Sequence, residues 1–145
     1  MSYISILVHC VWTTNRRIPF IKDEIRNEVI FHILETSRSK NIHIDHINGF
    51  YEHLHALISL GGQQNISDIM HQIKGESSFW INKNKLTREK FSWQDDFYAV
   101  SIGMPQLENL RGYIRNQPIH HIKISWDEEL NQLEKEYKII RIKDH

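Results

Sequence analysis

Two stretches of the chain carry residues that could do chemistry. In Glu52-His53-Leu54-His55-Ala56-Leu57-Ile58-Ser59 two histidines stand two apart, and Leu54, Ala56 and Ile58 fill alternate positions. Successive side chains of a strand point to opposite faces, so His53 and His55 share one face and the apolar set shares the other. Two imidazoles side by side can grip a metal ion. The second stretch is Tyr113-Ile114-Arg115-Asn116-Gln117. Four residues on a helix amount to about 40° of rotation, so Tyr113 and Gln117 lie on one face. A phenol can act as a nucleophile and form a covalent intermediate. Its ordinary pKa of about 10 leaves well under ~1% ionised near neutrality, so it needs a base or a nearby cation. A divalent metal would supply that field and polarise a phosphoryl oxygen. His53, His55 and the Gln117 amide would make three ligands with open positions for water and substrate, unlike the closed shell of a structural zinc. Taken singly, the histidine pair also fits structural or incidental roles, and a helical tyrosine four before a glutamine is commonplace.

The surrounding pattern predicts elements that could hold these groups. Residues 3–12 are rich in Ile, Val, Tyr and Trp and read as a first strand, closed by the polar run Thr13–Phe20 with Pro19. Ile25, Val29, Ile30, Ile33 and Leu34 fall at helical spacing over residues 22–39. Strands follow over 42–50 and 53–60, with Asn48-Gly49 as a turn or bulge between them. Asn65 or Ser67 caps a helix that runs to about Asn82. A fourth strand covers 97–102, and a helix runs from Pro105 to Asn116 or Gln117, where Pro118 stops it. Trp126, Leu130, Leu133 and Tyr137 predict a last amphipathic helix to about Lys138. The first six elements fit an α+β, ferredoxin-like (RRM-like) split βαβ sandwich. Its antiparallel sheet has strands one and three in the middle and helices on one face, with further helices at the C-terminus. The histidine pair would face away from the first two helices.

Length and charge bound the rest. The 145 residues are expected to form one domain, a core over 1–118 and a helical tail over 119–145. No apolar run approaches the ~20 residues of a membrane span, and no secretory signal is expected. The single cysteine, Cys10, reads as a buried, inert thiol suited to a reducing cytosol, so the expected location is cytoplasmic. Eighteen basic residues against 18 acidic give no global field for nucleic acid, so any such surface must be local. By alternation His9 falls on the sheet face of the pair, where it could support a ligand from behind. The remaining histidines, His120 and His121 among them, read as surface or helix-end residues, none assigned to metal.

The combination resembles a known family. His53-Leu54-His55 is similar to the HUH motif (His, hydrophobic, His), and Tyr113-x-x-x-Gln117 resembles the tyrosine helix of the single-tyrosine HUH transposases of IS-200-like insertion sequences. Leu7–Thr14 resembles the opening strand and basic loop of that family, and Ile73-Lys74-Gly75-Glu76-Ser77-Ser78 its second-helix motif. Trp93-Gln94 with Tyr98–Gly103 resembles the segment entering its fourth strand. Glu52 stands where many relatives have Asp, Ser92 where an aromatic is usual, and the net charge is low for a DNA enzyme. None of these departures removes a catalytic group.

The resemblance implies a metal-dependent nickase and strand transferase, a DNA transposase that acts on single-stranded DNA at hairpin-marked ends. Tyr113 would be the catalytic nucleophile, giving a 5′-phosphotyrosine link. His53, His55 and Gln117 would bind Mg²⁺ or Mn²⁺. The chain would work as a homodimer, with Tyr113 acting in its own subunit or in its partner's. Hairpin binding would fall among Arg16, Arg17, Lys74, Lys83, Lys85 and Arg88. A non-catalytic module is the alternative, either a domesticated or inactive relative that holds DNA or RNA hairpins, or an RNA-recognition-type sheet. The latter would want aromatic residues on the sheet face, where Leu7, His9, His53, His55 and Leu57 stand instead. A small zinc hydrolase using Glu52 is weaker, because an ideal strand points Glu52 away from both histidines.

Overall fold

The structure, a computed structural model, describes residues 2–137, with the side chains of all but residues 122 and 123. Four strands, β1 (Leu7–Thr13), β2 (His43–Gly49), β3 (His53–Ser59) and β4 (Tyr98–Ile102), form one antiparallel sheet in the order β2-β3-β1-β4. The helices are α1 (Asp23–Ser39), α2 (Ile66–Lys83), α3 (Leu107–Arg115), α4 (Gln117–Lys123) and α5 (Trp126–Tyr137). The α+β split βαβ plan expected from the sequence is the one found, with β1 and β3 central.

Alternation along β1 and β3 divides the protein into two halves. Val8, Cys10 and Trp12 join Leu54, Ala56 and Ile58 under α1 and α2, where Val29, Ile33, Ile69, Met70 and Ile73 complete an apolar core. Burial in this layer pushes the Cys10 thiol up to about 12, so it is inert. The opposite face carries His9, His53, His55 and Leu57. It is covered as well: Leu107, Leu110 and Ile114 of α3 pack on Leu57, and Trp126 and Leu133 of α5 pack on Val11. The histidine face is therefore roofed by the C-terminal helices, and the first six residues of β3 are all buried.

Local chemistry accounts for the element boundaries. Asn65 caps α2, its side chain accepting from the Asp68 backbone N–H at 2.9 Å. Gly49 ends β2 where a Cβ would lie 2.2 Å from the His53 carbonyl oxygen, so the close approach to β3 admits no side chain. The first strand begins at Leu7 rather than Tyr3, because its partner strands pair only as far as Ser59 and Ile102, both opposite Leu7. Pro118 does not simply stop a helix. It stands in the first turn of α4, where its missing N–H costs nothing, and the break from α3 falls at Asn116. Lys138, expected to end the last helix, lies outside the described residues. Among the described residues, no helix is long and apolar enough to cross a membrane.

Candidate active site

Five elements deliver polar side chains to one buried point on the roofed face. β3 supplies His53 and His55, both 0% exposed, and its antiparallel partner β1 supplies His9. Tyr113 comes from the end of α3, Gln117 from the first turn of α4, and Glu129 from the first turn of α5. Although Asn116 breaks the helix expected to carry both, Tyr113 and Gln117 still face the same spot.

The contacts are close. His53 Nε2 lies 2.9 Å from Gln117 Oε1 and 3.1 Å from Glu129 Oε1. His55 Nε2 lies 3.2 Å from the same Glu129 oxygen, and its ring meets the Tyr113 ring edge-on with centroids 5.5 Å apart. The Tyr113 hydroxyl donates to Glu129 Oε2, which also accepts from Gln117 Nε2 at 2.8 Å. Behind the pair, His55 Nδ1 lies 2.9 Å from His9 Nε2, and His9 Nδ1 lies 3.2 Å from the Tyr137 hydroxyl. Trp126 stacks on His53 at 4.3 Å and closes the site from above.

Burial and charge oppose each other here. Burial drives His55 down to about 4 and His9 to about 3, in each case against a partial pull upward from Glu129. Burial would lower His53 too, but its bonds to the Glu129 and Glu52 carboxylates outweigh that and raise it. Burial would raise Glu129, yet hydrogen bonds from His121, His53 and His55 hold it well below the usual carboxylate range. Burial and the neighbouring Glu129 charge push the Tyr113 phenol well above its ordinary value. As arranged, the phenol is protonated and its hydroxyl is held by a carboxylate. The donor set of imidazole nitrogens, an amide oxygen and a carboxylate suits a divalent cation, and ligand atoms of His53, His55 and Glu129 all lie within 4.8 Å of one another.

The comparisons with known proteins decide the family. The family described as "Transposase IS200 like" matches residues 2–117. The chain belongs to it. Two solved structures share the fold. One is a protein of Deinococcus radiodurans R1 assigned as a transposase, with TM-score 0.65 and 16% identity, over 81% of this chain and 94% of the other. The second is a REP-associated tyrosine transposase bound to a REP hairpin, with TM-score 0.60 and 19% identity, over 83% of this chain and 72% of the other. No curated protein matches the sequence significantly.

For this transposase-family chain the structure brings together all four residues named from the two motifs, His53, His55, Tyr113 and Gln117. It corrects one detail: Glu52 precedes β3 rather than sitting on it, so its carboxylate swings round to accept from His53 Nδ1 at 2.8 Å. The basic residues divide. Arg16 and Arg17 line a cavity of about 340 Å³ beside the site, with Trp12, Tyr98 and Trp126. Lys74 and Lys83 are on α2, over the apolar core, and Lys85 and Arg88 follow it; Lys74 Nζ donates to the carbonyl oxygen of Asp96, which lines that same cavity.

Glu129 and His121 were not singled out from the sequence. His121 Nε2 lies 2.9 Å from Glu129 Oε1, and its side chain is 1% exposed. A signal for Glu129 existed. Trp126, Glu129 and Leu133 follow one another at spacings of three and four, so a carboxylate sits on the buried stripe of α5. His121 offered no comparable mark.

Proposed function

We propose that the chain is a single-tyrosine DNA nickase and strand transferase, cutting and rejoining single-stranded DNA beside hairpins. One observation carries the reading: Tyr113 and Gln117 converge with His53 and His55 on a single buried point, although the two motifs are some sixty residues apart. In this reading His53, His55 and Gln117 hold Mg²⁺ or Mn²⁺, which when bound supplies positive charge against a phosphoryl oxygen.

The chain's own groups would act as follows. The Glu129 carboxylate leaves the space between Tyr113 and the histidines, and the scissile phosphate takes its place. The Tyr113 oxygen attacks phosphorus and loses its proton, the P–O3′ bond breaks, and the departing 3′ oxygen takes up a proton. The 5′ end stays linked to Tyr113. Attack by another 3′-OH reverses these steps and joins new ends without any nucleotide cofactor, because the phosphotyrosine conserves the bond energy. Glu52 fixes the His53 ring and His9 the His55 ring, so both ligands enter already oriented. The solved relative bound to a REP hairpin supports a hairpin as partner, with Arg16 and Arg17 lining the adjoining cavity. A cytoplasmic location and a homodimer accompany this reading.

The test is a labelled single-stranded hairpin substrate incubated with purified protein and Mg²⁺ or Mn²⁺. The expected product is a protein–DNA adduct that survives denaturation and is absent from Tyr113→Phe. An adduct formed equally by Tyr113→Phe would overturn the assignment. Mixing His53→Ala with Tyr113→Phe then separates two arrangements. Recovered activity means that subunits share the site; none means that each chain uses its own Tyr113.

A further inference from the structure

We infer that Asp45 and Arg111 position the tyrosine nucleophile: a carboxylate on the edge strand grips α3 from the flank opposite Tyr113 and so fixes the rotation of that helix over the histidines. This role rests on Tyr113 being the attacking group of the proposed reaction, whereas the grip itself is a property of the protein without DNA. Neither residue touches the reacting atoms, so both act through Tyr113.

A bulge in β2 creates the grip. Ile44 pairs with Ile58 and His46 with Leu57, so Asp45 and His46 together face a single residue of β3. Residues directly opposite in an antiparallel ladder share a face, and Leu57 lies under α3. The extra residue lets Ile44 and Ile47, three apart, both pack against the apolar core, and it turns Asp45 and His46 toward α3. There Asp45 holds Arg111 in a two-pronged bond, Oδ1 accepting from Nε at 2.9 Å and Oδ2 from Nη2 at 2.8 Å. The His46 ring joins the two arginines of the helix: its Nδ1 lies 2.5 Å from Asp45 Oδ1, and its Nε2 accepts from Arg115 Nη1 at 3.0 Å. Further along β2, Asn48 Nδ2 donates to the Arg115 carbonyl oxygen at 3.0 Å.

A helix as short as α3 needs such a grip. It has nine residues, no side chain caps its N-terminus, and its buried stripe is Leu107, Leu110 and Ile114 alone. At about 100° per residue, Arg111 and Arg115 fall on one flank of that stripe and Tyr113 on the other. Apolar contacts are non-directional and leave the helix free to roll, whereas a two-pronged guanidinium–carboxylate bond fixes geometry. Side-chain ends stand about 5–6 Å from a helix axis, so a roll of about 10° carries the phenol oxygen about 1 Å. A misplacement of that size costs on the order of 100-fold in rate. The pair is largely shielded, with side-chain exposures of 17% for Asp45 and 26% for Arg111. Glu108 also accepts from Arg111, at 2.6 Å, but it belongs to α3 itself and ties the helix to nothing.

The experiment measures, per folded molecule of the full chain, the rate of adduct formation at saturating labelled hairpin and the KM for that hairpin. Hydrogen exchange of the α3 amides is followed beside it in DNA-free protein. Asp45→Asn and Arg111→Ala should each slow adduct formation by on the order of 10- to 100-fold, with KM within about twofold of the parent. The double variant should be no slower than the slower single one, because both remove the same bond. In all three the α3 amides should exchange faster, with those of α2 unchanged. Arg111→Lys, which keeps the charge and loses the fork, should fall between Arg111→Ala and the parent. Glu108→Gln should match the parent in rate and exchange. A purely structural pair would lower the folded fraction and leave the rate per folded molecule intact. A parental rate in folded Asp45→Asn, a raised KM with unchanged rate, additive losses in the double variant, or parental exchange of α3 would each overturn the role. If the parent itself makes no adduct, the proposed reaction falls, and exchange of the α3 amides in Asp45→Asn still decides whether the pair holds the helix.

Discussion

The two faces of the sheet are equally buried and chemically opposite. Under α1 and α2, Cys10, Leu54, Ala56 and Ile58 are wholly shielded; under α3 to α5, His9, His53 and His55 are shielded just as fully. These residues alternate along the same two strands, so one backbone register serves both layers. The first layer has to satisfy volume alone, and many apolar sets would do. The second has to satisfy polar atoms, and the ring nitrogens of His9, His53 and His55 all find partners, several of them brought by α4 and α5. Burial therefore does not distinguish core from site. What distinguishes them is whether a buried position must find a particular partner.

The largest expected break in this comparison is functional. Tyr113→Phe keeps the ring that packs beside Leu57 and Leu110 and removes only the hydroxyl bonded to Glu129. Strand cleavage should fall by on the order of 10³-fold or more, while the urea midpoint stays close to that of the parent. Leu54→Ala makes the complementary break on the other face. Leu54 is wholly buried between the sheet and its helices, so the substitution should cost about 2–5 kcal/mol in chemical denaturation. Nicking per folded molecule should survive at temperatures where the protein remains folded. A cost below about 1 kcal/mol would mean that the apolar layer closes up readily around the void.

The two layers should also part company with pH. His9 and His55 are held neutral, at about 3 and about 4, against an unfolded value of 6.5. Between those values the unfolded chain binds protons that the folded chain refuses, so stability is full above pH 6.5 and falls as pH drops toward 4. Each unit of depression corresponds to about 1.4 kcal/mol. His53, raised by Glu129 and Glu52, works in the opposite sense, adding stability below its unfolded value and losing it as pH rises through the folded one. His120, also lowered, and Glu129, held well below the usual carboxylate range, act in the same sense as His9 and His55, so the balance is a net loss on acidification. Denaturation of the metal-free protein at pH 7, 5.5 and 4.5 should show it, and a flat profile would refute the assigned burial of the neutral pair.

The same contrast explains what could be read from the chain. Alternation in Leu54-His55-Ala56-Leu57-Ile58 is a period of two, which a strand converts directly into faces, so the apolar layer and the histidine pair were both legible. Tyr113 and Gln117 were legible as a helical pair, although Asn116 divides the helix. His121 carries no such mark and Glu129 shows only as a carboxylate on the buried stripe of α5, because their role arises only when α4 and α5 fold back over the sheet. A local pattern shows which way a side chain points along its own element but not what will be there to meet it. Glu52 shows the reverse: it precedes the strand, so the alternation of an ideal strand does not govern it, and the bend before His53 lets its carboxylate reach the ring.

The smallest expected effect concerns the basic residues, which the sheet also divides. Arg16 and Arg17 stand at the edge of the histidine face, both with left-handed backbone (φ 56° and 55°), in a turn tied to Gln94 through the Arg16 backbone N–H. Arg17 already pairs with Asp127 of α5, so part of its charge is answered within the chain. Lys83 and Lys85 lie at and beyond the end of α2, over the opposite layer. If a single strand leaves the site through the cavity between Trp12, Tyr98 and Trp126, Arg16 is the cation it meets. Arg16→Ala should then weaken hairpin-flanking DNA by about three- to tenfold and lower the salt slope by about 0.7–0.9, the share of one phosphate contact. Arg17→Ala should do less, and Lys83→Ala with Lys85→Ala nothing beyond the scatter of the titration. Should the lysine pair prove the more costly, the hairpin sits across the α1–α2 layer and the DNA must wrap an edge of the sheet to reach Tyr113.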